Sequence, residues 1–330
     1  MPDVVIRRGK RPAPGFQQEA PDDVVAAVCE EALGPGVVRS ATATTTGTYN
    51  VTFRLGLAGG GEAYLRFAPE PAAQGVADRH AMRNEHAASP FVAVLGAVAA
   101  RTLAVDFTHR LVDRDWVVHA AVPGVPASDV LPGLDDDDRA AFHRNLGAVC
   151  RTLHGVQAEG FGRALAPVHS RWSRAVAADV AALAEDARRA GVDAGLVART
   201  VAAVAQHADA LDAVRVPVLL HGDLWTPNVL LAPGTPRITG VLDHDAARWG
   251  DPRAEWTLYR VRLAGPATEA AFRTGYGALP DDDAAAVRDA VYALRHTLAV
   301  RLDIDRRSLD RSQIPPVHWD LEPRLAALGA

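Results

Sequence analysis

A two-lobed α+β chain, with a small antiparallel sheet near its N-terminus and a mainly helical C-terminal part, is predicted by three features of the 330-residue sequence. Tyr49, Val51, Phe53 and Leu55 alternate with polar or small residues, and Ala63 to Phe67 continue a strand pattern beyond the Gly59-Gly60-Gly61 turn. After Pro123-Gly124-Val125-Pro126 the chain becomes Ala-rich, with apolar residues at helical spacing. Embedded in that helical part is one strand–loop–strand segment, Val216 to Leu242, which holds the densest polar chemistry.

Residues 1–20, with Pro12, Pro14 and Gly15 and little periodicity, read as a loosely held leader without chemistry. An N-lobe is expected over 21–122 and a C-lobe over 123–330. Asp22 and Asp23 cap a helix running to about Leu33, ended by Gly34-Pro35-Gly36. The hairpin follows, then a helix from Val76 to about Gly96, then strands at Leu103 to Phe107 and Trp116 to Val122. Helices are predicted at about 136–158, 170–190, 192–213, 252–263, 268–276 and 282–303. The inserted strands are Val216 to Leu220, Val229 to Leu231 and Ile238 to Leu242.

A composition of 48% hydrophobic and 23% charged residues describes a folded, water-soluble protein. The net charge of -5 with scattered arginines offers no basic stripe for nucleic acid. The longest apolar run, Phe91 to Ala100, is about half a membrane span. A cytoplasmic protein with no membrane partner is therefore expected. Cys29 and Cys150 lie in helical stretches and read as buried free thiols. Lys10 is the only lysine, so a cation needed elsewhere must be arginine. The acidic runs Asp135 to Asp138 and Asp281 to Asp283 precede helices and read as caps and first-turn carboxylates; the alternative is an acidic rim for a cationic substrate.

His221-Gly222-Asp223-Leu224-Trp225-Thr226-Pro227-Asn228 places an aspartate and an asparagine five positions apart in a loop between strands. Asp243 follows at the end of the run Ile238 to Leu242, where a strand would deliver it to the same edge. Mg²⁺ takes few protein oxygens and keeps its other positions for water and phosphate, which suits Asn228 and Asp243 as ligands. Asp223 is left to accept or orient the proton of an attacking hydroxyl. No His or Cys set is spaced for zinc, and His221 reads as a residue that braces the loop.

The pieces H-G-D-L-x-x-x-N-V-L-L and G-V-L-D-H-D-x-A-x-W-G-D-P resemble the aminoglycoside phosphotransferase and choline kinase-like superfamily, over roughly Thr44 to Tyr259. That resemblance implies a protein-kinase-like fold with ATP and Mg²⁺ in an interlobe cleft. It also implies that Thr46, Gly47 and Thr48, in the run Thr44 to Asn50, meet the β- and γ-phosphates, although alone this run reads as a β-turn. Arg66 occupies the place of the phosphate-binding lysine, Glu85 its helix partner, and the backbone near Ala120 and Val122 the adenine contact. Asp251 is implied to tie the catalytic loop to the helix near Pro252, and Glu255-Trp256-Thr257 replaces the usual Asp-Leu-Ala.

Gly250-Asp251-Pro252 follows Asp243 so closely that no peptide-docking activation segment fits, which points to a small-molecule acceptor. The resulting expectation is transfer of the ATP γ-phosphoryl group to a hydroxyl of an antibiotic of aminoglycoside or nucleoside type. The alternatives are a metabolic kinase of choline, homoserine or fructosamine type, and a nucleotide-binding pseudokinase.

Overall fold

A computed structural model describes residues 4–10, 13, 15–256, 265–279 and 281–330. The N-lobe is a mixed sheet of order β1-β2-β3-β4-β6-β5, comprising Val5–Arg7, Val38–Ala43, Val51–Leu57, Glu62–Phe67, Trp116–Ala120 and Thr102–Asp106. All its pairings are antiparallel except β1 with β2. Period-2 alternation sends Val51, Phe53 and Leu55 of β3 and Ala63, Leu65 and Phe67 of β4 into one core. Helix α1 (Asp22–Leu33) closes that core with Val25, Val28 and Cys29. Cys29 and Cys150 are both free and buried, and burial pushes the Cys29 thiol up to about 12.

The expected leader is integrated into the lobe. Val5–Arg7 extends the sheet as β1, and Phe16 and Gln17 are buried. A three-residue strand is too short to register as a period, and its parallel partner lies more than thirty residues away in sequence. Residues 1–3, 11, 12 and 14 of that leader lie outside the described residues.

The helix read from Val76 begins only at Ala81 and spans Ala81–Val92 (α2). Before it, Asp186 accepts the amides of Val76 and Ala77 at 2.8 Å each, and His80 adopts φ 63°, so side-chain capture replaces the first helical turns.

The C-lobe carries short helices α3 (Ala127–Val130) and α7 (Ala208–Asp212) among the long ones α4 (Asp136–His154), α5 (Trp172–Arg189) and α6 (Ala194–Gln206). Next come α8 (Pro266–Tyr276), α9 (Ala285–Arg306) and α10 (Glu322–Ala326). Residues 252–256 are helical, and the rest of the predicted helix 252–263, with Tyr259, lies outside the described residues. Two small sheets brace the lobe: β12-β11-β7 (Ile238–Val241, Val229–Leu231, Val125–Pro126) and β10-β13-β8-β9 (Val218–Leu220, Arg248–Gly250, Phe161–Arg163, Ala166–His169). The acidic runs act locally: Asp135 caps α4 through the amide of Asp138, and Asp282 pairs with Arg288. Among the described residues no helix is long and apolar enough to cross a membrane.

Helices α4 and α8 cross almost in backbone contact. A Cβ on Gly275 would lie 1.8 Å from the carbonyl oxygen of Arg144, and one on Gly147 would lie 2.2 Å from that of Phe272. Each helix thus offers a glycine to the other's backbone, where no methyl fits. We expect Gly275→Ala to cost about 1–3 kcal/mol through forced separation of the helices, despite the better helix propensity of Ala. Gly195→Ala, at an exposed position in the first turn of α6 with only an Asp193 side-chain oxygen at 3.3 Å, should be neutral or stabilising. Urea unfolding of both variants checks this, and equal effects would refute the crossing.

Candidate active site

Alternation along β4 leaves Arg66 on the face opposite the core, so its side chain enters the space between the lobes and is only 12% exposed. A guanidinium so enclosed requires carboxylate partners. Glu85 of α2 accepts from Nη1 with both oxygens, at 3.0 and 2.8 Å, and Asp243 accepts from Nη2 at 2.6 Å. Burial favours the neutral guanidine, but Glu85 and Asp243 outweigh it and the pKa of Arg66 is raised, so the cation is permanent.

The helix that carries Glu85 is itself locked to the C-lobe. Asn84, fully buried, donates to the carbonyls of Asp245 and Ala247 at 2.9 and 2.8 Å and accepts the Leu165 amide at 2.9 Å. No sequence signal marks Asn84, because a lone amide on a helix has no pattern to belong to.

Beyond β10 the chain passes under the 244–246 turn. Gly222 has φ +84°, and a Cβ there would lie 2.3 Å from the Ala246 carbonyl oxygen, so glycine is required both for conformation and for space. Glu255, 3% exposed, collects the loop's amides: His221 N at 2.6 Å and Gly222 N at 3.2 and 3.3 Å. Burial raises the Glu255 pKa while these amides pull it back.

Asp251 does not perform that task. It accepts from Arg253 N at 3.0 Å, Arg288 Nε at 3.0 Å and Tyr292 OH at 2.7 Å, anchoring α9 instead. One helical turn separates the two carboxylates, and only the second reaches the loop.

His221 joins the loop to the strand that delivers Asp243. Its Nδ1 accepts from the Asp223 amide at 3.3 Å, which leaves the proton on Nε2 to be donated to the Leu242 carbonyl at 2.9 Å. Burial pushes the imidazole down to about 4, so it is neutral near pH 7. The bracing role read from the sequence matches these contacts.

Asn228 closes the 3₁₀ turn Thr226–Asn228. Its Nδ2 donates to the Asp223 carbonyl at 2.9 Å and to Asp223 Oδ2 at 3.1 Å, and its own carbonyl accepts the Leu242 amide at 2.9 Å. With nitrogen so committed, the amide oxygen Oδ1 is the group available to a cation. Asp243 has φ 65° and ψ 61°, a left-handed conformation that a non-glycine residue adopts at a cost. The Leu242 bonds on one side and Arg66 on the other hold it there. Asp223 and Asn228 are thus bonded to each other, the Leu242–Asn228 backbone bond brings the neighbouring Asp243 to the same loop, and Arg66 joins Asp243 to Glu85.

Oxygen donors of this kind suit a hard cation that keeps water and phosphate ligands. Among the described residues no cluster of three or more His, Cys, Asp and Glu side chains is arranged to hold a metal unaided, so an ion here would need further oxygens, such as those of a nucleotide, beside Asn228 Oδ1 and Asp243. Asp245 lies half-buried beside them, and burial together with the charge of Asp243 holds its carboxyl well above the usual range.

The other expected nucleotide residues are placed less directly. Thr46, Gly47 and Thr48 lie in the loop joining β2 and β3, where Gly47 has φ +80° and its carbonyl accepts from Gln17 Nε2 at 3.2 Å. Ala120 spends its amide on the Arg101 carbonyl at 2.9 Å, so an adenine contact through that N–H is ruled out. Arg101, the residue just before edge strand β5, takes the bond. Val122 packs across β12, its Cγ1 2.7 Å from where a Cβ on Gly240 would stand.

The profile of the phosphotransferase enzyme family (APH) matches residues 40–290. The chain is 33% identical over 181 residues to an aminoglycoside 3'-phosphotransferase of Streptomyces fradiae, covering 49% of this chain and 61% of that protein. A second aminoglycoside 3'-phosphotransferase, from Streptomyces ribosidificus, is 34% identical over 179 residues, covering 49% of this chain and 62% of its own length. The match thus spans about three-fifths of these relatives. Among solved structures, a putative aminoglycoside phosphotransferase from Ralstonia eutropha JMP134 aligns with a TM-score of 0.63 at 15% identity, covering 93% and 97% of the two chains. A thermostable mutant of aminoglycoside phosphotransferase APH(4)-Ia, in a ternary complex with ADP and hygromycin B, aligns at 0.58 with 21% identity, covering 92% and 96%. These likenesses establish the bilobal, protein-kinase-like fold.

The depressed His221 pKa has a signed consequence. Its folded value of about 4 lies below the ordinary 6.5, so the stability it contributes is complete above 6.5 and is lost as pH falls toward 4. His221→Gln keeps a donor near Leu242 and carries no charge. We expect wild type to lose up to about 3 kcal/mol relative to this variant between pH 6.5 and 4, measured by denaturant unfolding at several pH values. Parallel profiles would show that His221 does not titrate in that way.

Proposed function

Because the chain belongs to the phosphotransferase enzyme family, we propose that it transfers the γ-phosphoryl group of ATP to a hydroxyl of a small antibiotic of aminoglycoside or nucleoside type. The observation that supports this reading is the bonding of Asn228 to Asp223 beside an Arg66 cation that Glu85 and Asp243 hold between them. The curated relatives are aminoglycoside 3'-phosphotransferases, and a structural neighbour holds ADP and hygromycin B, which supports nucleotide and antibiotic as the two substrates.

In this reading Asp223 accepts the proton of the acceptor hydroxyl while that oxygen bonds to the γ-phosphorus and the bond to the β–γ bridging oxygen breaks, releasing ADP. Asn228 orients Asp223 through the bond to Oδ2. Asn228 Oδ1 and Asp243 would hold Mg²⁺, whose charge would offset that of the phosphates. Arg66 supplies the fixed cation that a lysine supplies elsewhere, with Glu85 keeping it from collapsing wholly onto Asp243. Thr46, Gly47 and Thr48 cover the phosphates. The backbone beyond β6, with Val122, meets adenine. The N-lobe and C-lobe divide at residues 122 and 123, where the sheet has ended at Ala120 and the next strand pairs with β11.

Incubation with Mg²⁺·ATP and a panel of aminoglycosides, nucleoside antibiotics and hydroxylated metabolites, read by ADP release and product mass, tests the reading. A mass gain of one phosphoryl group on an antibiotic supports it, and phosphorylation confined to metabolites overturns the antibiotic assignment. Asp223→Ala should lower turnover by roughly 10²–10⁴ with little change in ATP affinity. Asp243→Ala should weaken Mg²⁺·ATP binding as well as turnover, since its charge holds the ion. Full turnover in the Asp223 variant would remove it from the mechanism.

A further inference from the structure

Residues 44–50, which join β2 to β3, are tied down from outside their own lobe. Arg307, immediately after α9, donates from Nη1 to Thr48 Oγ1 at 2.8 Å, and its guanidinium carbon lies 5.1 Å from the ring centroid of Tyr49. Arg307 is anchored in turn by Asp303, one helical turn back, at 2.8 Å, and its side chain is 15% exposed. Beside it, Arg306 pairs with Asp78 in the segment before α2 and lies 5.0 Å from the ring centroid of Phe16. From the N-terminal side Gln17 Nε2 donates to the carbonyls of Gly47 and Asn50 at 3.2 and 2.8 Å.

Such a tether has a physical purpose in this sequence. Thr44-Thr45-Thr46-Gly47-Thr48-Tyr49-Asn50 contains one glycine, with φ +80° and nothing within 4 Å of its missing Cβ. With residues 45–47 exposed around a single permissive joint, the tip of this loop depends on contacts from elsewhere to define its height above the cleft, and ordering it costs conformational entropy at each binding event. An arginine held by Asp303 and stacked on Tyr49 removes part of that cost in advance. The contact is charge-assisted and partly shielded from water, the circumstances in which one hydrogen bond matters most.

We propose that Arg307 is a positioning residue for the nucleotide: from the end of the last long C-lobe helix it holds Thr48 and Tyr49, and with them the loop 44–50, in the conformation that receives the ATP phosphates. The proposal rests on the nucleotide-binding reading given above and extends it to a residue outside both motifs. Arg307 touches no reacting atom; it acts through Thr48. Closure of the N-lobe loop is thereby coupled to the C-terminal segment, and changes near residues 303–311 are felt at the triphosphate.

The test is titration of the full-length chain with a non-hydrolysable ATP analogue and Mg²⁺, wild type against Arg307→Ala, Thr48→Val and the double variant. We expect each single variant to weaken analogue binding by about tenfold or less, the double variant to be no weaker than the worse single one, and unfolding midpoints to stay close to wild type. Hydrogen exchange at 44–50 should rise in Arg307→Ala and fall again on saturation with the analogue. Arg307→Lys, which keeps charge but not the planar fork over Tyr49, should recover binding only in part. Unchanged affinity in Arg307→Ala, or strictly additive losses in the double variant, overturns the proposal, as does a fall in unfolding midpoint that alone accounts for the lost binding. If wild type itself fails to bind the analogue, it is the nucleotide-binding reading that falls.

Discussion

The ion pairs of Arg66 with Glu85 and Asp243 are the constraint around which the two lobes are arranged. One guanidinium links a strand of the N-lobe sheet, the N-lobe helix and the end of a C-lobe strand, at 2.8 and 2.6 Å to its two carboxylate partners. Removing charges from water costs several kcal/mol per ion before any attraction is counted, so such a pair does not persist by itself. It persists here because the N-terminal end of α2 is fixed twice: Asp186 and Arg306 grip the segment before it, and Asn84 fastens its first turn to the 245–247 backbone. The helix cannot swing away and take Glu85 with it. A kinase-like fold whose helix is nailed in place has little scope for switching by helix movement, which agrees with the absence of room for an activation segment between Asp243 and Asp251.

A second layer of order is made almost entirely from backbone groups. Glu255 holds the amides of His221 and Gly222, His221 holds Asp223 N and Leu242 O, and Asn228 holds Leu242 N. Carboxylate, imidazole and amide each satisfy donors that a buried loop would otherwise leave orphaned. The result is that Asp223 and Asp243, on separate strands' ends, cannot move independently. Asp243 accepts a left-handed backbone as the local expense of that arrangement, and its neighbours over-determine the conformation.

The strand–loop–strand segment was legible because its chemistry is local: Asp223 and Asn228 sit in one loop, and an apolar run of strand length delivers Asp243. Strands β3, β4, β11 and β12 fell where alternation and apolar runs placed them, since burial on one face imposes the period directly. Arg66 was legible through the resemblance of Ala63 to Phe67 to the strand on which the family carries a lysine. A chain with a single lysine, exposed near its N-terminus, leaves arginine as the only cation for such a strand.

What the sequence by itself determined, then, is the two-lobed class and the strand–loop–strand segment that carries Asp223, Asn228 and Asp243. Both follow from short-range patterns of side-chain type. Tertiary structure alone decided which carboxylate cradles the loop, since Asp251 and Glu255 differ by one helical turn and either spelling is compatible with a helix start. It also decided that Gly147 and Gly275 are demanded by a helix crossing, that Val5–Arg7 is a strand, and that Arg307 reaches Thr48. Each of those contacts joins residues distant in the chain through a single hydrogen bond or a missing methyl, and such an interaction leaves no period or spacing in the sequence to be read.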